Sequence, residues 1–144
     1  MLKPTAKWGP LVLRVVLGVI LIFAALEPVK VFNPAKFVEI VRGMAGSYLP
    51  EFFVVAYGYA IPYVELITGV FLVLGLFTRL TGGIVALMFV SYIIGLGLAN
   101  PDVTFFMDPV AKLIPNKDFG FLAMALALVL TGGGAWAVDN KMKW

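Results

Sequence analysis

Apolar residues run along this chain in long blocks, and most of the charged residues fall between them. The blocks cover about Gly9 to Val31, Glu51 to Phe77, Leu80 to Leu98 and Phe119 to Val138. Each is close to the roughly 20 residues that carry a helix across the hydrocarbon core of a bilayer. The pattern predicts four transmembrane helices at about 9–31, 51–77, 80–98 and 119–138. Pro10 suits a first helical turn, because its missing N–H has no partner there. Pro28 predicts a kink or an end near the far side of the first helix. Pro62 falls inside the second helix, removes the partner of the Gly58 carbonyl and predicts a bend.

The connections carry their own signals. Asn33-Pro34 reads as a cap followed by a first-turn proline. Phe37, Ile40, Val41 and Met44 follow at helical spacing, with Lys36, Glu39 and Arg42 between them. That is a short amphipathic helix, about 34–43, lying in the interface plane between helices 1 and 2. The turn at Thr78–Thr81 is short. The longest loop spans 100–118, where Asp108-Pro109 predicts a small helix ending at Pro115 and Phe105, Phe106 and Met107 lean on the membrane. Ala123 and Ala127 give helix 4 a small-residue face suited to close packing. Gly132, Gly133 and Gly134 loosen its end. The fold class is therefore all-α: an integral membrane four-helix bundle with one interfacial helix, forming a single domain over 1–144.

Composition agrees with lipid as the solvent. Of the 144 residues, 62% are hydrophobic and 13% charged, with a mean hydropathy of +1.02. Soluble domains run at about 45–50% apolar and about 25% charged. There is no cysteine and no histidine. This excludes disulfides, thiol chemistry, cysteine-ligated iron–sulfur clusters and histidine-ligated haem or zinc. Neither a covalent nor a metal cofactor is expected, and nothing points to nucleic acid. The basic start, with Lys3 and Lys7, reads as the flank of a retained first helix. Four spans put both termini on one side. Lys3, Lys7, Arg79, Lys141 and Lys143 lie there, against Lys30, Lys36, Arg42, Lys112 and Lys117 on the other. The basic count is tied; the acidic residues, which carry little weight, favour cytoplasmic termini in a bacterial or archaeal inner membrane.

Glu65 is the outlier in this pattern, a carboxylate in the middle of a predicted span. Ionisable groups at that depth face a partner, a cavity or a ligand. At 1.5 Å per residue, Arg14 lies roughly 9 Å past Trp8 and Glu65 roughly 18 Å from Phe77 on the same side. Ser91 and Tyr92 share the depth of Glu65, and Thr131 that of Arg14. These five side chains are expected to form one buried polar cluster, with a Glu65–Arg14 pair at its centre. Two readings stay open. The cluster fixes helix register, as polar groups in bundles do. Alternatively it lines a pocket for a quinone or lipid, with Tyr92 or Arg14 as donor and Glu65 as proton acceptor. Glu27, Lys30 and Tyr63 are secondary candidates. Glu27 and Lys30 also suit snorkelling to the headgroups, and Tyr63, with Tyr57 and Tyr59, suits an aromatic belt.

Helix 1 carries Leu13-Arg14 with Leu17-Gly18, and Lys30 lies just past it. Glu65 with Gly69 follows, then Leu74-Gly75-Leu76-Phe77-Thr78-Arg79, and finally Gly132-Gly133-Gly134 through Asp139. Together these residues resemble the DoxX family of small four-helix membrane proteins. Glu27-Pro28 before the lysine, and Ala135 and Trp136 in the tail, depart from the family pattern. The family is associated with quinone-linked oxidation of sulfur compounds, methylamine utilisation and oxidative-stress complexes. The resemblance implies an accessory or anchoring subunit of a quinone-linked redox complex, in contact with lipid and with protein partners. The alternative is a self-contained protein that binds or transports a quinone or another small molecule at Glu65.

Overall fold

The structure is a computed structural model that describes residues 4–27, 30, 32–99 and 116–141. Five α-helices form it: α1 Trp8–Ala25, α2 Pro34–Ala45, α3 Glu51–Leu74, α4 Thr78–Ala99 and α5 Lys117–Thr131. There is no strand among the described residues. The small helix expected after Asp108 lies outside them.

Three helices, α1, α3 and α4, are long and apolar enough to cross a membrane. With 15 residues, α5 is about 22 Å long and completes the bundle as its fourth, shorter member. Large apolar side chains point outward, with Phe23 73% and Leu130 78% exposed. In water such a surface would be untenable; in lipid it is the contact face.

Each helix stops where local chemistry stops it. α1 ends at Ala25, short of the expected 31. Glu27 precedes Pro28, and a residue before proline is driven out of the helical region. α2 is capped by Asn33, whose Oδ1 accepts the Lys36 N–H at 3.3 Å. It runs on to Ala45, with Lys36, Glu39 and Arg42 exposed and Val38, Val41 and Ala45 buried. Arg42 reaches back to Glu51 at the start of α3, Nε to Oε2 at 3.3 Å. α3 ends at Leu74, not Phe77, because Gly75 takes φ +70°, the left-handed turn at which glycine commonly closes a helix. Asp139 caps the next helix. Its two oxygens accept the N–H groups of Phe77 at 2.6 Å and Thr78 at 2.8 Å, so α4 starts at Thr78, not Leu80. α5 is capped by Asn116 and ends at Gly132, φ +76°. The expected extension to Val138 is instead a turn followed by the 3₁₀ turn Val138–Asn140.

α1 and α3 pack antiparallel and at close range. A Cβ on Gly18 would lie 2.7 Å from the Gly69 carbonyl oxygen, and one on Gly69 2.9 Å from that of Gly18. Only glycines let two backbones meet this way. Leu17, Leu21, Leu72, Val85 and Leu128 fill the core around the contact. In α5 the inward face is Ala125 and Leu128, not the Ala123–Ala127 face expected, and Ala123 is exposed. Lys7 and Ala135 meet at one end of the bundle, where the Ala135 N–H donates to the Lys7 carbonyl at 2.8 Å. Both described ends of the chain therefore lie together.

Candidate functional site

The expected Glu65–Arg14 pair does not form. The structure resolves the cluster into two separate polar centres. Arg14 lies near the end where Lys7 and Ala135 meet, and Glu65 lies further from that end, earlier on α3. The Arg14 contacts fall at Leu72 and Val73, seven to eight residues beyond Glu65, or about 11 Å along the helix.

Arg14 is 2% exposed and bonds only to backbone carbonyls. Nε donates to Gly133 at 2.8 Å, Nη1 to Leu72 at 3.0 Å and Val73 at 2.6 Å, and Nη2 to Ala135 at 3.1 Å. The last turn of a helix presents carbonyls with no internal partner and a partial negative charge. The guanidinium fork satisfies those of α3 and of the turn after α5 together. This centre is a structural clamp. Thr131, expected beside it, is exposed, and its hydroxyl bonds to Ala127 at 2.7 Å within its own helix.

Glu65 is also 2% exposed. Its partner is Lys30, whose Nζ lies 3.0 Å from Oε1 and 2.9 Å from Oε2. Tyr92 donates to Oε1 at 2.6 Å. α1 ends early, at Ala25; the Lys30 N–H donates to the Glu27 carbonyl at 2.8 Å, and the Lys30 side chain lies at the level of Glu65. The ammonium also sits over the Phe37 ring at 5.6 Å, a favourable cation–π position. Beside this triad, Ser91 donates to the Met88 carbonyl at 2.6 Å, and Tyr57 bonds to Ser91. Of the eight candidates, Glu65, Lys30, Ser91 and Tyr92 come together. Tyr63 is half exposed on the outer face of α3, and Glu27 is exposed at the cavity rim.

These groups form the polar wall of a cavity of about 640 Å³ bounded by α1 through α5. Its remaining wall is apolar and aromatic, with Phe37, Val54, Phe89 and Phe121 among its residues. Ligand sites of this size commonly join a mostly apolar lining to a few placed polar groups. A larger, more open cleft of about 790 Å³ lies at the Arg14 end, lined by Lys7, Arg79, Thr131 and Asp139 among others. Its carboxylate is already spent on capping α4, and it holds no buried charge pair. The Glu65 cavity is the better candidate site for that reason. Sequence reasoning missed Tyr57 and Phe37 as wall residues. Tyr57, Ile61 and Glu65 follow at four-residue spacing on one face of α3, and that spacing was a usable signal for Tyr57. Among the described residues no group of acidic side chains is arranged to hold a metal.

Fold and site together define an integral membrane helical bundle with a buried acid–lysine–tyrosine centre at an apolar cavity. A DoxX family model matches residues 9–100, well over half of the chain. The protein belongs to the DoxX family. The match spans Lys30, Glu65 and Tyr92; Gly133 and Ala135, which hold Arg14, fall beyond it. No match is found among curated proteins or among solved structures.

Proposed function

We propose that this chain is the quinone-holding accessory subunit of a membrane redox complex, and that the ring sits in the Glu65 cavity. The observation that carries this reading is the Lys30–Glu65–Tyr92 triad, buried at the edge of an apolar cavity of about 640 Å³. A purely structural ion pair has no need of an adjoining cavity. The aromatic walls at Phe37, Phe89 and Phe121 suit a flat ring. Lys30 offers a polar contact, and Glu65 is a proton acceptor within the membrane. A quinone bound there supplies two-electron, two-proton chemistry; the chain's own residues hold the head group, exclude water and carry the acceptor. With neither cysteine nor histidine, electrons are expected to come from or go to a partner subunit. The termini are proposed to face the cytoplasm.

The alternative is a self-contained binding protein. It is favoured by the fact that Lys30, Glu65 and Tyr92 all come from one chain. Purification from native membranes in mild detergent separates the two. A stoichiometric partner with a redox centre, and quinone in the organic extract of the complex, are expected. A monodisperse single chain with bound quinone would leave only the self-contained reading. A folded complex with no lipophilic ring compound would overturn the quinone site in both.

A further inference from the structure

The hydrogens on the polar wall of the Glu65 cavity can be counted. Ser91 Oγ and the Met88 carbonyl oxygen stand 2.6 Å apart. Two oxygens at that distance need a hydrogen between them, and only Ser91 has one. The Ser91 proton is therefore spent. In the Tyr57–Ser91 contact the donor must then be Tyr57, so the Tyr57 proton is spent as well. The Tyr92 proton goes to Glu65. Two of the three Lys30 protons go to the Glu65 oxygens.

What remains is uneven. The hydroxyl oxygens of Tyr57, Ser91 and Tyr92 keep lone pairs, whereas a single proton is left, on Lys30. The wall is rich in acceptors and nearly empty of donors. Glu27, Tyr48 and Lys117 are exposed at the rim and set no strong preference, and the buried Asp118 adds carboxylate oxygens to the acceptor side.

From this asymmetry, and resting on the quinone reading above, we infer that the cavity selects the hydroxyl-bearing, reduced form of the ring, a hydroquinone, over the oxidised quinone. A quinone brings only acceptors. It can meet the one Lys30 proton and otherwise faces lone pairs with lone pairs. A hydroquinone accepts from Lys30 through one oxygen and donates to a tyrosine oxygen as well. A buried polar group left without its partner costs more than a made hydrogen bond returns, so the mismatch counts against the quinone twice.

The test is binding of three matched short-chain ring compounds to the purified protein in lipid nanodiscs: a benzoquinone, its hydroquinone under anaerobic reducing conditions, and the dimethyl ether of that hydroquinone. The hydroquinone should bind on the order of tenfold tighter than the quinone. The ether, which has no donor, should fall back to the quinone level or below. Two variants give opposite signatures. Tyr57→Phe removes an acceptor and should weaken the hydroquinone alone. Ser91→Ala releases the Tyr57 proton toward the cavity and should strengthen the quinone. Equal or tighter quinone binding in the unmodified protein would overturn the inference and leave the quinone site standing. No binding of any of the three would overturn both. Retained selectivity in both variants would also sink it, because the proton count predicts a change in each.

Discussion

Replacing Arg14 tests how a charge without a side-chain counterion is stabilised inside the bundle. Its guanidinium serves four carbonyls. That of Leu72 has a second partner in the Gly75 N–H at 3.1 Å; Val73, Gly133 and Ala135 take theirs from Arg14. A buried acceptor left unsatisfied costs about 1–3 kcal/mol, so three imply about 3–9 kcal/mol. Val73 and Ala135 are only half-buried, and water at the bundle end offsets part of the loss. Arg14→Met should therefore lower stability by about 3–5 kcal/mol, read from reversible unfolding in detergent by far-ultraviolet circular dichroism. Arg14→Lys should recover less than half, because an ammonium cannot reproduce the fork. The Arg14→Met and Glu65→Gln effects should add within about 0.5 kcal/mol, as separate sites do. A loss below about 1 kcal/mol, or full rescue by lysine, would refute the clamp, since a made hydrogen bond alone is worth that much. Strong non-additivity would restore the pairing that sequence alone suggests.

Lys30→Met strands a buried carboxylate and should cost about 3–5 kcal/mol, with at least half recovered in the double substitution with Glu65→Gln; a double variant as unstable as Lys30→Met refutes the pair. Gly69→Val forces α1 away from α3 and should cost about 1–3 kcal/mol, measured by the same unfolding assay; a neutral outcome refutes the backbone contact. Asp139→Ala removes the cap of α4 and should cost about 0.5–2 kcal/mol, with hydrogen exchange rising first at Phe77 and Thr78; unchanged exchange there argues against the cap. For orientation, an impermeant thiol reagent outside the cell should label Ser47→Cys and spare Arg79→Cys; the reverse pattern inverts the topology.

Much of the fold was legible because lipid makes hydropathy decisive. The apolar runs marked every bundle helix, and Asn33-Pro34 marked the start of α2. Glu65 stood out because few other residues in the spans break the apolar pattern. The helix ends were less legible. Gly75 and Gly132 stop α3 and α5 by adopting positive φ, a conformation that glycine permits and does not compel. The partner of Arg14 was not legible at all. Carbonyls have no residue type, so a search for a counterion went to the nearest carboxylate in depth. Lys30 was misplaced for a different reason. Depth was counted as though the helix continued to Val31, which assigns the lysine to the headgroups; α1 ends at Ala25, and Lys30 lies at the level of Glu65. Tyr57 was read as part of an interfacial belt, because tyrosine at a membrane surface needs no other account.

The carbonyl cage of Arg14 has a consequence for how the chain is made. Synthesis and insertion proceed from the N-terminus. Arg14 enters the membrane with the first helix, but Gly133 and Ala135 lie 119 and 121 residues downstream. The Lys7 carbonyl waits equally long for the Ala135 N–H, and Trp8 for the edge-on ring of Trp136 at 5.2 Å. α1 is thus completed by residues synthesised 119 and 121 positions after Arg14. Until they arrive, the nascent protein carries an arginine with two of its four carbonyl contacts unmade inside the bilayer.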